Sequence, residues 1–293
     1  MTGGYEQGHS FLSSALLYPE DCSVPSLEEG LAGHVTFITQ DSTPSIATCG
    51  GQIGASNFKR ECHVLQSDGW QPGVLDDLPD VRDRSGSVTM GEGVYILGGR
   101  KTHSTSIFLS ANSRSWETGP NLPSPTGDFA DPQIWHDTPC AAQVSAHSFL
   151  LQYKLNVFEF NTRANGPTSA LGWAPQDTWP RLKKTSVAAG CAVVNNMFVV
   201  ASDRGAEVIN IWTRTITQGG EFAKKRQYFK LLSIDGHLYA LGGWYWTSDL
   251  GHHFHDEVER FSEETRTWTS APALPGRRAD GGGVAVHRAL VCG

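Results

Sequence analysis

The chain has 293 residues, of which 39% are hydrophobic, 18% are charged and 32 are glycine, and its formal net charge is -7. That length allows a large core within one domain, and the acidic balance argues against general nucleic-acid binding. No run of about 18 apolar residues occurs, so no membrane span is expected. The opening MTGGYEQGHS lacks the basic-then-apolar order of a signal peptide, and the compartment, cytoplasmic or extracellular, stays open.

Taken in chain order, apolar residues run into a glycine pair at Gly3-Gly4, Gly50-Gly51, Gly98-Gly99 and Gly242-Gly243. Degenerate copies lie at SFLLQY, marked by Gln152, and at MFVVAS, marked by Ser202, and the chain ends inside another, ALVCG, at Gly293. Successive marks are 47, 48, 54, 50, 40 and 51 residues apart. A period near 50 with these signals points to a propeller array, in which each repeat is one small sheet that buries its faces against its neighbours.

Each unit reads as four strands, a to d. In the second unit these are residues 85–90, the YILGG run, residues 106–112 and the segment holding Trp116, followed by Leu122-Pro123. In the fifth they are residues 230–235, the LYALGG run, residues 257–261 and the segment holding Trp268, followed by Leu274-Pro275. Trp70 and Trp173 hold the strand-d place in the first and third units. Units three and four lack the glycine pair and are placed by spacing and by the apolar segments 149–151 and 198–200, and unit four has Thr-Ile-Thr where the others have tryptophan.

With the glycine pair, the later tryptophan and the Leu-Pro exit in place, the sequence resembles the kelch-repeat family. The resemblance implies an all-β, six-bladed kelch-type β-propeller with four antiparallel strands per blade. Both chain ends then build one closing blade, residues 11–18 and 22–25 giving strands c and d, and residues 282–287 and 289–292 giving strands a and b. Such closure removes open sheet edges. Residues 1–293 are read as a single propeller domain.

Six cysteines allow fifteen full pairings. Cys49 at the end of a strand b and Cys62 in the following strand c suit a disulfide if both point one way. Cys22 and Cys292 share the closing blade, and Cys140 and Cys191 fall on strands a of neighbouring blades. Buried thiols and an oxidised extracellular protein both fit these residues, while the lack of any Asn-X-Ser/Thr sequon leans away from a glycosylated product.

The a–b turns are short, whereas several b–c and d–a loops are long, and these emerge together on one face. In kelch proteins that face commonly binds partners. Its most unusual element is the b–c loop of unit five, residues 244–256, where Trp244, Tyr245, Trp246 and Phe254 place four aromatics in WYWTSDLGHHFHD. Such a loop either anchors a partner or folds its rings over the ring mouth. His253 and His255 share one side of an extended segment and are the better pair for a metal, though further ligands would have to come from elsewhere. No metal or other cofactor is expected.

Cations gather on the same face, among them Arg84, Lys184, Arg226 and Arg278, as an anion-binding rim or as partners of nearby acids such as Asp83 and Asp280. The chain holds no nucleophile elbow, no phosphate-binding glycine loop before a helix and no HExxH. The function expected is therefore a non-catalytic binding module holding a protein, peptide or glycan ligand with Trp244, Tyr245, Trp246, His253, His255, Arg84, Lys184, Arg226 and Arg278. The alternative is a small-molecule or metal-dependent enzyme at the channel mouth, using His253, His255 or Arg278.

Overall fold

A computed structural model describes residues 24–54, 56–100, 102–123, 138–163, 172–184, 188–248 and 251–285. Their strands form five small antiparallel sheets arranged as propeller blades. Blade one contains β1 (Val35–Ile38) and β2 (Ile46–Cys49), a short hairpin of β3 (Gln52–Ile53) and β4 (Asn57–Phe58), then β5 (Cys62–Gln66) and β6 (Gly69–Pro72). Blade two contains β7 (Gly86–Met90), β8 (Gly93–Leu97), β9 (Ser106–Ser110) and β10 (Trp116–Thr118). Blade three has β11 (Cys140–Ser145), β12 (Ser148–Tyr153) and β13 (Asn156–Asn161), with a bridge from Phe160 to Trp173 in the place of strand d. Blade four has β14 (Gly190–Val194), β15 (Met197–Ser202), β16 (Gly205–Asn210) and β17 (Ile216–Gln218). Blade five has β18 (Lys230–Ile234) and β19 (His237–Leu241), a hairpin of β20 (Trp244–Thr247) and β21 (Gly251–Phe254), then β22 (Val258–Ser262) and β23 (Thr267–Ala271).

The strand alternation of period two distributes side chains to two different cores. On β8, Val94 and Ile96 join the cluster shared with blade one, while Tyr95 and Leu97 join the one shared with blade three. On β15, Phe198 and Val200 face blade three, while Met197, Val199 and Ala201 face blade five. Both faces of a middle strand are therefore apolar, and this is why its sequence is a hydrophobic run rather than an alternation. The strand-d tryptophans pack the outer rim: Trp116 meets Phe37 of blade one edge-on at 5.9 Å, and its indole N–H donates to the carbonyl of Asp76. In blade four the equivalent register place, opposite Ile209, is taken by Ile216.

The expected short a–b turns are two-residue hairpins. Asn195-Asn196 and Asp235-Gly236 take left-handed φ values of 42° and 61°, and 49° and 73°, which match the strand twist. The b–c connections fall into two kinds. In blades three and four, which lack the glycine pair, they are equally tight, closing between Tyr153 and Asn156 and between Ser202 and Gly205. After a glycine pair the chain instead leaves the blade as a long loop, because both glycines adopt left-handed backbone (Gly242 φ 65°, Gly243 φ 101°). A Cβ on Gly243 would sit 2.8 Å from the carbonyl oxygen of Gln227, so the position also requires the missing side chain.

Cys49 and Cys62 face one another across β2 and β5 and are disulfide-bonded, the pairing the sequence suggested. Cys140 and Cys191 form a second disulfide between the inner strands of blades three and four. Cys22 and Cys292, like residues 11–18 and 289–292 of the expected closing blade, lie outside the described residues. Among the described residues no helix is long and apolar enough to cross a membrane.

Candidate binding face and channel mouth

The inner strands β1, β7, β11, β14 and β18 follow one another around a central cavity of about 160 Å³, which Asp280 and Gly283 of the C-terminal segment also line. Two residues before β1, β7, β14 and β18 lies a position with left-handed backbone, Gly33 (φ 68°), Arg84 (56°), Ala188 (62°) and Tyr228 (53°), and Asp280 (58°) of the C-terminal segment shares it. Backbone hydrogen bonds join some of these positions around the mouth. The N–H of Arg84 donates to Gly33 at 2.7 Å, that of Gly33 to Asp280 at 2.7 Å, and that of Asp280 to Tyr228 at 2.8 Å.

This ring of equivalent positions places Arg84, Tyr228 and Asp280 together. The Arg84 guanidinium lies 2.8 Å from the Asp280 carboxylate and 4.5 Å from the centre of the Tyr228 ring. Burial weakens the Arg84 charge, but the Asp280 carboxylate outweighs it and the guanidinium stays more basic than usual. Burial also pushes the Tyr228 hydroxyl up to about 12. Arg100 extends the charge network, with Nε 2.9 Å from Asp83 and an N–H donated to Gln52 at 2.6 Å, and it covers the Phe58 ring on the blade-one hairpin.

The β20–β21 hairpin rises beside this cluster. Its base is tied to the preceding d–a loop by reciprocal backbone bonds between Trp244 and Gln227, at 2.9 and 2.7 Å. The Trp244 ring stacks on Tyr228 at 5.6 Å and 3° between planes, and Phe254 is buried beside it with Ala188 and Ala279. Trp246, one strand repeat further out, is 60% exposed. Tyr245 takes the other side of the hairpin and stacks on both His253 (4.8 Å) and His255 (5.1 Å). The loop thus divides its aromatics, some packing it onto the blade and one remaining at the surface.

His253 and His255 do share a side, as alternation requires, but Tyr245 contacts both. His255 is buried, with Nδ1 2.9 Å from Glu257 and Nε2 3.1 Å from the carbonyl of Lys225, and burial lowers its pKa although both ring nitrogens face oxygen acceptors. Glu257 is drawn down to about 2: burial opposes its ionisation, but hydrogen bonds from Lys224 and His255 prevail. Among the described residues no group of three or more His, Cys, Asp or Glu is placed to hold a metal.

Two of the expected rim cations serve the blade rather than a ligand. Arg226 is 0% exposed. It donates to the carbonyls of Gly242 and Glu257 at 3.1 and 3.0 Å and pairs with Glu259 at 2.5 Å, so it locks the glycine turn to strand c. Arg82 does the same in blade two, donating to Gly98 at 3.0 Å and to Thr102 and Thr105. Arg278, at the equivalent place in the C-terminal segment, is buried as well. The expectation of Arg226 and Arg278 on an open rim is corrected accordingly: both are buried, and Arg226 is held by carbonyls and a carboxylate inside the fold. Lys184 lies apart from the cluster, and its backbone N–H donates to Glu207 at 2.8 Å.

The sequence reading missed Tyr228 and named Asp280 only as an acid near the cations, and His252 meets the Trp244 ring edge-on at 4.6 Å. Aligning the residues two before the inner strands would have set Tyr228 beside Arg84. It also missed Trp212, 77% exposed in the c–d turn of blade four on the opposite face.

A family model, the kelch motif, matches residues 225–275, which enclose β18 to β23 and the whole of blade five. The described sheets form a β-propeller that carries a kelch motif in its fifth blade. No curated protein matches it. The matched residues include the Arg226–Glu259 lock, the glycine turn and the aromatic hairpin, while Arg84 and Asp280 of the candidate site lie outside them.

Proposed function

We propose that this kelch propeller is a non-catalytic interaction module that presents the β20–β21 hairpin and the adjacent Arg84–Tyr228 cluster to a protein or peptide. The observation that carries this reading is Trp246, a large ring held 60% in solvent by a hairpin whose base is stacked and hydrogen-bonded in place. A preorganised aromatic costs little entropy to bury against a partner, which is the usual character of an interface anchor. Tyr245, His253 and Arg84 supply polar and cationic groups beside the hairpin, and Lys184 belongs to the same loop face further round the ring.

The test is selection from a displayed peptide library. Peptides enriched on the parent should bind the Trp246→Ala variant at least tenfold more weakly while binding Trp212→Ala unchanged. Peptides indifferent to Trp246, or a glycan array that captures the protein where no peptide does, would overturn the protein or peptide reading.

The same proposal takes residues 1–293 as one six-bladed domain. Asp280 supports it, since this residue repeats the backbone conformation and the mouth bonding of the positions leading the inner strands, and Gly282 lies against blade one through a hydrogen bond to His34 at 3.0 Å. The two disulfides support maturation in an oxidising compartment. Alkylation of the native protein without reductant should leave Cys49, Cys62, Cys140 and Cys191 unlabelled.

A further inference from the structure

The central cavity carries a charge that no described residue answers. Lys230 opens β18 and lines the cavity, its stem packed beside Gly283, where an added Cβ would lie 3.2 Å from the lysine Cγ. The nearest carboxylate, Asp280, is committed to Arg84 at 2.8 Å. Among the described residues no hydrogen bond or ion pair reaches the Lys230 ammonium. Burial lowers its pKa, with Asp280 only partly offsetting that. Lys230 is only partly buried, so its ammonium opens to the cavity, where a ligand can supply the counter-charge that the described residues do not.

The rest of the wall describes that ligand. Leu231, Leu232, Ala141 and Ala189 give apolar surface, and Thr36 and Ser87 give hydroxyls. Arg84 and Asp280 cancel, so the described lining carries one excess positive charge. A second negative charge on the ligand would meet Asp280 unbalanced. The volume of about 160 Å³ is that of a benzene-sized guest.

We propose that the propeller channel binds a small organic monocarboxylate, its carboxylate on Lys230 and its apolar body against the inner strands. Arg84 and Tyr228 line both this cavity and the proposed interaction surface, but the test here reads Lys230 and not Trp246, so the two readings fail separately. Calorimetry and thermal melting of the intact protein with benzoate, acetate, toluene and inorganic phosphate give the test.

Benzoate should bind saturably and raise the melting midpoint, acetate more weakly, and toluene and phosphate not measurably. Lys230→Met should lower benzoate affinity at least tenfold without lowering the midpoint of the free protein. For the parent, nuclear Overhauser contacts from labelled benzoate to the Lys230 side chain provide a readout that needs no variant. No saturable carboxylate binding, equal binding of phosphate, unchanged affinity in Lys230→Met, or a benzoate in contact with other residues would each overturn the proposal.

Discussion

Blades four and five share their pairing of strands b and c, Val200 opposite Glu207 and Ala240 opposite Glu259, yet they end strand b in opposite ways. In blade four, Ser202 leads straight into a two-residue turn and back down the sheet. In blade five, Gly242 and Gly243 turn the chain out of the blade, and the aromatic hairpin follows before strand c begins. The two conserved-geometry carboxylates answer this difference. Glu207 receives the backbone N–H groups of Lys183 and Lys184, whereas Glu259 pairs with buried Arg226, whose other donors hold the glycine turn. A blade can thus be built without a long b–c loop, and in blades two and five a buried arginine holds the glycine turn from inside.

The clamp gives the sharpest way to break this comparison. Arg226→Met leaves Glu259 buried without its cation and should cost about 3–5 kcal/mol, the range for breaking a buried pair. Lys184→Met in blade four should stay within about 0.5 kcal/mol, as surface changes do. Urea unfolding of both variants checks the contrast, and equal losses would show that the arginine is no clamp.

Next in size is the turn itself. Gly243→Val forces a branched residue into left-handed backbone and against the Gln227 carbonyl, and about 3 kcal/mol of destabilisation is expected. Ser202→Gly, which gives blade four half of a glycine pair, should change thermal stability by about 1 kcal/mol or less.

Acid should act more gently and on blade five. The folded-state pKa of Glu257 is depressed to about 2 from 4.5, so its contribution is present above 4.5 and is lost as pH falls from there through about 2. Glu257→Gln should flatten the fall of the melting temperature across that window. An unchanged profile would remove Glu257 from the account of acid stability.

The smallest stability effect belongs to the residue with the largest proposed role. Trp246→Ala should leave the urea midpoint unchanged within about 0.5 kcal/mol, whereas Trp244→Ala, which removes the Tyr228 stack, should lower it clearly. If both melt alike, the hairpin is packing rather than an interaction surface.

The repeat was legible because a blade is a local object. The interval near 50 residues, apolar runs ending in glycine, and Trp70, Trp116, Trp173 and Trp268 after strand c all record contacts made within one unit or with its neighbour. The Cys49–Cys62 pairing was legible for the same reason, since b and c are adjacent strands. Arg226 misled because a cation in a polar loop gives no sign of its depth, and only the positions of Gly242 and Glu259 around it reveal that it is enclosed. Cys140 and Cys191 were correctly placed on neighbouring inner strands, but their bond depends on two blades meeting at one height.

The sequence by itself determined the blade: alternation sends Val94 and Tyr95 to opposite cores, and a glycine pair permits the left-handed exit that no other residue enters as freely. Only the tertiary structure decided the site, because Arg84, Tyr228, Asp280 and Lys230 come from blades far apart in the chain. They meet where the ring gathers its inner strands around one axis. Local patterning encodes what a residue does along its own strand, and the packing of blades around one axis decides which distant residues it faces.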